Sequence, residues 1–189
     1  MDGRAATGEL VLIRHAPALH GGRLAGRTDV AADLSDAAAL AATAGRAGAP
    51  VRLLTSPARR CRDTASALWP GLAAGDDARL WEQDFGQWEG VPFADLPDLG
   101  PLSPGALALH RPPGGESFAD LCARTAPALA ELADGGVTIV AHAGTVRAAL
   151  ALALGSPAAA LAFEVQPLSV TRLRRLSGDS WVIRSVNVT

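Results

Sequence analysis

The sequence predicts an α/β fold in which helices cover both faces of a mostly parallel sheet. Short apolar runs alternate along the chain with longer stretches of helical periodicity, which is the pattern of βαβ units. The apolar runs are rich in Val, Ile and Leu and end at turn residues, as buried strands do. Apolar residues make up 49% of the 189 residues and charged residues 19%, a composition typical of a globular domain.

Five strands and one short extended segment follow from the apolar, β-branched runs. The strands are predicted near residues 9–13, 51–54, 137–141, 168–174 and 181–186, and the extended segment near 78–81. Ser177-Gly178-Asp179 separates the last two strands and predicts a hairpin turn.

Four helices are predicted, near residues 35–48, 57–69, 116–134 and 143–154. Ser56 is a suitable N-cap for the second helix, and Pro57 suits the first helical position. Gly71 follows this helix, and Gly155-Ser156-Pro157 ends the last one.

The chain length fits one domain, which we assign to residues 1–189. A domain of this size buries about 70% of the surface of its unfolded chain. Residues 92–114 form the least regular stretch and contain six prolines. Such stretches often form lids or insertions over a binding crevice, although a passive surface loop explains the composition equally well.

Charge and residue usage exclude several function classes. The net charge of −2 gives no indication of a nucleic-acid or anionic-membrane partner. The chain has no lysine, which excludes Schiff-base catalysis and a Walker-type phosphate loop. The first residues lack the apolar core of a signal peptide, and the apolar run 148–154 is too short to span a bilayer. We therefore expect a cytoplasmic protein, in which Cys61 and Cys122 are reduced thiols; the sequence does not indicate an oligomeric state.

Arg14-His15 directly follows the first predicted strand. In open α/β sheets, ligands bind in the crevice at the carboxyl ends of the strands. The planar guanidinium of arginine suits an anion such as phosphate, and a histidine beside it can act as base, ligand or nucleophile. The pair therefore predicts an anion-binding site at this end of the sheet.

The same context occurs again later in the chain. The apolar run 137–141 ends in His142, and Ala143-Gly144 then leads into a helix. Backbone amides at such a helix start, with little side chain around them, form a natural anion site. Because two of four histidines follow strands in this way, we expect them to share one site.

Two further segments supply charged groups. Arg60 lies about one turn inside the second predicted helix, where its long side chain can reach back to the crevice. Residues 80–90 concentrate acidic residues and two tryptophans in a loop-like stretch, and catalytic groups are often found on loops.

Taken together, these segments resemble the histidine phosphatase superfamily, which is also called phosphoglycerate mutase-like. The family motifs are a strand followed by Arg-His-Gly, then Ser-x-x-x-Arg-Ala-x-x-Thr, Glu-x-x-Phe/Tyr-Gly-x-x-x-Gly and Ser-His-Gly-Gly. They match, in order, the segments that begin at Arg14, Ser56, Glu82 and Ala141. Gly26-Arg27-Thr28-Asp29 and Gly115-Glu116-Ser117 match minor family marks.

The resemblance implies a three-layer α/β sandwich with one antiparallel edge strand. It also implies a metal-independent phosphomonoesterase with no cofactor, acting on a small phosphorylated metabolite. Within the family, the short chain and the stretch from His110 to Phe118 resemble α-ribazole phosphatases of cobalamin biosynthesis, so α-ribazole 5′-phosphate is the expected substrate.

By the same resemblance, His15 is the nucleophile that forms a phosphohistidine, and Glu82 is the general acid and base. The predicted phosphate-binding groups are Arg14, His15, Arg60, His142 and Ala143. Candidate substrate contacts are Arg27, Trp81 and His110. Asp84 and Glu89 share the Glu82 loop, and we expect them to be solvated surface carboxylates.

The chain departs from the family pattern at three positions near the expected phosphate. Ala16 and Ala143 each replace a glycine, which adds one methyl group near the phosphate and is tolerated if φ stays negative. Gly21 stands where many members have an asparagine, so one neutral phosphate donor is missing. None of these changes removes a charged group.

Other functions remain possible. A phosphoglycerate mutase uses the same phosphohistidine, but the mutases of this family are longer. A non-catalytic phospholigand-binding protein would be expected to lack His15, Arg60, Glu82 or His142, and all four are present. A metallohydrolase has little support, because no two histidines have the spacing of metal ligands on a helix.

Overall fold

The helices and strands come from a computed structural model, which describes residues 8–177 and 180–189. Its strands form one six-stranded sheet: β1 (Glu9–Arg14), β2 (Leu53–Thr55), β3 (Gly75–Asp76), β4 (Val137–Ala141), β5 (Val170–Arg175) and β6 (Trp181–Val188). The α-helices of the same residues are α1 (Ala37–Ala47), α2 (Arg59–Leu68), α3 (Pro104–Leu109), α4 (Phe118–Leu132), α5 (Ala143–Leu154) and α6 (Pro157–Ala160). Three short 3₁₀ helices lie at Ala78–Leu80, Gly86–Trp88 and Phe93–Asp95.

The strand order is β3-β2-β4-β1-β5-β6. The pairs β3–β2, β2–β4 and β4–β1 are parallel, whereas β5 is antiparallel to both β1 and β6. The prediction of a mostly parallel sheet is therefore confirmed. The expectation of an antiparallel edge strand is wrong in one respect, because β5 lies inside the sheet and β6 forms the edge. A short connection can join neighbouring strands only if they are antiparallel. The few residues between β5 and β6 therefore require β6 to run antiparallel to β5.

Alternating side chains of β1 point to two different helical layers. Val11 and Ile13 pack in the core on the side of α1 and α2. Leu10 and Leu12 pack in the core on the side of α4 and α5. Because successive strand residues face opposite sides, this alternation places helices on both faces and confirms the three-layer sandwich.

The predicted extended segment at 78–81 is wrong. A two-residue strand, β3, lies just before it, and Ala78–Leu80 is a 3₁₀ helix. The Asp77 carboxylate accepts a hydrogen bond from the Arg79 amide over 2.8 Å, which begins this turn, and Leu80 is fully buried.

The start of α2 also differs from the prediction. Ala58 is the N-cap and has no side-chain capping bond, so Ser56 does not cap the helix and Pro57 precedes it. The Ser56 hydroxyl instead contacts His142 at 2.8 Å. The residues of the predicted hairpin turn at 178 and 179 lie outside the described residues, while β5 and β6 on either side of them pair as predicted.

The irregular stretch 92–114 contains more structure than its composition predicts. Phe93–Asp95 forms a 3₁₀ helix, and α3 begins at Pro104 with Ser103 as its N-cap. Among the helices of the described residues, none is both long enough and apolar enough to cross a membrane.

Candidate active site

The two predicted histidines lie side by side because their strands are neighbours in register. Arg14, the last residue of β1, pairs with Ala141, the last residue of β4. The next residues are therefore His15 and His142, and the His15 amide donates to the Ala141 carbonyl over 2.9 Å. Their ring centroids are 5.2 Å apart in an edge-to-face arrangement.

The hydrogen bonds of His15 define its tautomer. Nδ1 lies 2.7 Å from the Ala16 carbonyl oxygen, and because a carbonyl only accepts, Nδ1 must carry the proton. Nε2 therefore bears the lone pair, and it accepts a hydrogen bond from Nε of Arg60 over 3.3 Å.

Burial keeps the His15 imidazole neutral. It lowers the pKa of His15 to about 3, against a smaller opposing effect of the Ala16 hydrogen bond. The positive charges of Arg60 and Arg14 lower it further. At neutral pH Nε2 of His15 therefore carries a lone pair and no proton.

Arg60 is almost completely buried, with 1% of its surface exposed. Its terminal nitrogens donate to the carbonyls of Gly26 over 2.7 Å and Thr28 over 3.0 Å. A buried guanidinium needs such acceptors to offset its loss of hydration. The loop at residues 26–28 consequently holds Arg60 against His15.

Glu89 in turn holds this loop. Its carboxylate accepts hydrogen bonds from the amides of Gly26, Arg27 and Thr28 and from the Thr28 hydroxyl, at 2.6–3.2 Å. It also accepts from the Phe85 amide over 3.2 Å. Burial opposes ionisation of Glu89, but these hydrogen bonds outweigh it and lower its pKa. Glu89 is therefore a structural anion, contrary to the expectation of a solvated carboxylate.

Glu82 approaches the start of α5. Its carboxylate accepts from the Gly144 amide over 3.2 Å and from the Gln83 amide over 2.9 Å. A Cβ at position 144 would overlap Oε1 of Glu82. Glycine at 144 is thus required for this approach, whereas alanine is accommodated at 143.

The backbone around Glu82 is fixed by Arg124 on α4. Arg124 donates to the carbonyls of Arg79, Trp81 and Glu82 at 2.7–3.3 Å and forms an ion pair with Glu116 at 2.8 Å. A bidentate guanidinium suits this bridging position.

Two arginines donate hydrogen bonds to the backbone of the segment between α6 and β5. Arg14 donates to the Val165 carbonyl over 2.6 Å, and Arg147 donates to the Phe163 carbonyl over 3.0 Å. Burial lowers the pKa of Arg14, against the opposing effect of the Glu82 carboxylate.

His142 lies deeper than His15. It is fully buried, and Nε2 lies 2.8 Å from the Ser56 hydroxyl. Burial lowers the pKa of His142 well below the ordinary histidine value, and the positive charges of Arg60 and Arg14 add to this effect. Trp81 stacks on its other side, with 6.3 Å between the ring centroids.

A cavity of about 500 Å³ opens above these groups. Of the predicted catalytic and phosphate-binding residues, it is lined by Arg14, His15, Arg60, Glu82 and Ala143, whereas His142 is fully buried and does not line it. Gly144 and Arg147 also line it. Ala16, which replaces a glycine of the family pattern, is fully buried, and its amide donates to the Thr64 hydroxyl over 3.0 Å. Gly21, which stands at the asparagine position of many members, adopts a positive φ of 60°.

The three candidate substrate contacts occupy different places. His110 lines the cavity. Trp81 packs on His142, and Arg27 lies over the Trp81 ring at 5.6 Å, with Glu116 at 3.8 Å. Within the described part of the chain, no cluster of three or more His, Cys, Asp or Glu side chains could hold a metal ion.

Sequence reasoning missed the residues that hold the site together. Glu89, Arg124 and Ser56 each act on partners distant in the sequence. The motif Gly26-Arg27-Thr28 could have indicated a role for an acidic residue such as Glu89, because three consecutive backbone amides in one loop need a hydrogen-bond acceptor.

Comparison with known proteins agrees with the resemblance carried by the sequence motifs. Residues 10–189 match the sequence model of the histidine phosphatase superfamily, branch 1. The glucosyl-3-phosphoglycerate phosphatase of Mycolicibacterium vanbaalenii is 33% identical over 173 residues, which cover 78% of this chain and 75% of that protein. The protein of the same name from Mycobacterium tuberculosis is 34% identical over 177 residues, covering 79% and 77%.

Solved structures of known proteins have a similar fold. The structure of mycobacterial glucosyl-3-phosphoglycerate phosphatase has a TM-score of 0.81 at 28% identity, covering 97% of this chain and 100% of that one. The α-ribazole phosphatase of Shigella flexneri has a TM-score of 0.78 at 21% identity, covering 95% and 96%. At that identity the second likeness shows the fold alone.

We expect His15 to stay neutral and protonated on Nδ1 from about pH 8 to about pH 5, because its pKa is lowered to about 3. The measurement is a pH titration of the imidazole nitrogens by NMR, with His15→Ala used to assign the signals. A titration midpoint near the ordinary histidine pKa, or a proton on Nε2, would contradict this.

We expect Glu89→Gln to lower the free energy of unfolding by about 1–3 kcal/mol, since backbone donors lose a charged acceptor, and to lower turnover because Arg60 loses its support. Urea unfolding and steady-state kinetics measure the two effects. The matched control is Asp95→Asn, at an exposed carboxylate, which should change neither. Equal behaviour of the two variants would argue against this role of Glu89.

Proposed function

Because the chain belongs to the histidine phosphatase superfamily, we propose that it is a metal-independent phosphomonoesterase that hydrolyses a small phosphorylated metabolite through a phosphohistidine. The main support for this proposal is the buried, neutral His15, which lines a cavity together with Arg14, Arg60 and Glu82 and has its lone pair on Nε2. Phosphatase-named relatives at 33–34% identity support hydrolysis as the reaction.

In the first step, Nε2 of His15 attacks phosphorus and forms the N–P bond. The bond from phosphorus to the ester oxygen breaks, and its electron pair stays on that oxygen. Protonated Glu82 supplies the proton that makes the leaving group an alcohol. One difficult displacement is thus divided into two easier ones.

In the second step, the Glu82 carboxylate takes a proton from water while the water oxygen attacks phosphorus. The N–P bond breaks, its electron pair returns to Nε2, and inorganic phosphate forms. Glu82 then carries the proton for the next cycle, so the two steps balance.

Arg14, Arg60, His142 and the Ala143 amide are our candidates for binding the phosphoryl oxygens. In the structure, Arg60 donates to Nε2 of His15. Substrate binding would exchange that hydrogen bond for one to a phosphoryl oxygen, which frees the lone pair when the phosphate is in place. His142 would similarly exchange its Ser56 contact.

We also propose that residues 92–114 form a lid within the single domain, residues 1–189. Phe93, Leu99, Leu107, His110 and Pro112 from this stretch line the cavity. A lid would exclude water from the phosphorylated histidine until the alcohol has left.

Two substrates should be tested first. Glucosyl-3-phosphoglycerate follows from the names of the relatives at 33–34% identity. α-Ribazole 5′-phosphate follows from the sequence resemblance, and its support from solved structures is at the level of the fold. Leaving-group contacts lie in variable loops, so the family alone does not select between them.

We expect His15→Ala to abolish turnover in a protein that remains folded by circular dichroism, because the nucleophile is removed. Rapid quenching of the wild type with labelled substrate should yield an acid-labile, base-stable phosphoenzyme, and activity should persist after treatment with EDTA. Hydrolysis by folded His15→Ala, or a loss with EDTA that a divalent metal restores, would contradict the mechanism. Transfer of the label to a second alcohol rather than to water would favour the mutase alternative.

We expect Glu82→Gln to lower kcat/KM for an alkyl phosphate by ~10²–10⁴-fold, and far less for p-nitrophenyl phosphate. The nitrophenolate leaves without protonation, and kcat/KM reports only the steps up to release of the alcohol. Asp95→Asn is the control and should leave both values unchanged. Equal losses on the two substrates would indicate that Glu82 has a structural role.

A further inference from the structure

The cavity has a second region, beyond the phosphate end, which we call the leaving-group chamber. It is formed by Leu24 and by side chains from the Glu82 loop, the 92–114 stretch and the start of α4. Its main apolar residues are Leu24, Phe85, Trp88, Phe93, Leu107 and Phe118.

Charged side chains are concentrated at the other end. Arg14, Arg60, Glu82 and Arg147 are the charged residues that line the cavity in the described part of the chain. Arg14 and Arg147 donate to backbone carbonyls between α6 and β5, and Glu82 accepts from the Gly144 amide at the start of α5. The chamber itself therefore offers no ionic partner to a leaving group.

Two chamber residues are exposed although they line a concave surface. Phe93 is 49% exposed and Leu107 is 43% exposed. Apolar area in a cleft favours a ligand that covers it, because each buried methylene contributes about 0.8 kcal/mol to transfer from water.

Two histidines that line the cavity belong to aromatic pairs. His110 stacks on Trp88 with 5.5 Å between centroids and 24° between planes, and His20 meets the edge of Phe93 at 5.2 Å. Nε2 of His110 is buried and has no hydrogen-bond partner.

We propose that the leaving group is a predominantly apolar, uncharged alcohol. This rests on the proposed phosphatase function and defines the substrate class of the same site. An anionic sugar-acid leaving group, such as that of glucosyl-3-phosphoglycerate, would leave the chamber walls uncovered, so this substrate class excludes the first of the two substrates named above.

The test is kcat/KM for ethyl, butyl and hexyl phosphate, whose alcohols have nearly equal leaving-group chemistry. We expect a rise of about three- to fourfold for each added methylene until the chamber is filled. Glycerol 3-phosphate and 3-phosphoglycerate serve as polar and anionic counterparts of similar size and should be poorer substrates than butyl phosphate.

Variants connect the effect to the chamber. Phe93→Ser should reduce the hexyl-to-ethyl ratio of kcat/KM by roughly tenfold, because part of the covering surface is lost. The control is Leu109→Ser, in the same stretch and 71% exposed, which should keep the ratio. Equal reductions in both variants would overturn the assignment to the chamber.

The two levels of the proposal fail in different ways. A flat or falling alkyl series, or a preference for 3-phosphoglycerate over butyl phosphate, would overturn the apolar leaving group and leave the phosphatase function standing. Absence of hydrolysis of every substrate, p-nitrophenyl phosphate included, would overturn the proposed function and this inference with it.

Discussion

The hydrogen bond from Arg60 to Nε2 of His15 is the contact on which the site depends. It joins the guanidinium of Arg60 to the unprotonated ring nitrogen of His15, at 3.3 Å. It is possible only because His15 is neutral, and His15 is neutral because it is buried beside cationic groups. The lone pair on Nε2 accepts from Arg60, and the same cationic groups that we propose bind the phosphate keep His15 neutral.

This contact is held by successive layers of hydrogen bonds. Arg60 is positioned by the carbonyls of the loop at residues 26–28, and that loop is positioned by Glu89. Glu89 also bonds to Phe85 in the Glu82 loop, so one carboxylate connects the phosphate side of the site with the acid side. Arg124 secures the Glu82 backbone independently. Both supports use ionised groups, which make stronger hydrogen bonds than neutral ones.

Sequence reasoning was reliable where local pattern and sheet topology agree. His15 and His142 follow apolar strands, and carboxyl ends of parallel strands meet at one edge of a sheet, so their proximity could be predicted. Arg60, and the choice of Glu82 among neighbouring acids, needed the family pattern. Ser56 was assigned to a helix cap because its true partner, His142, is 86 residues away. Glu89 was missed for the same reason, with partners 61–63 residues distant. Helix α3 and the 3₁₀ turn after Asp77 arise from local capping inside stretches that lack apolar periodicity.

Keeping two imidazoles neutral has a consequence for acid tolerance. Unfolding exposes His15 and His142 to water, where each regains an ordinary pKa near 6.5 and takes up a proton in mild acid. The native fold excludes that proton, since its His15 pKa is about 3. The contribution of His15 to the stability of the fold is therefore complete above about pH 6.5 and is lost progressively as the pH falls towards 3. A fold that keeps histidines neutral by desolvation is consequently one whose unfolding consumes protons, and acid favours its denatured state.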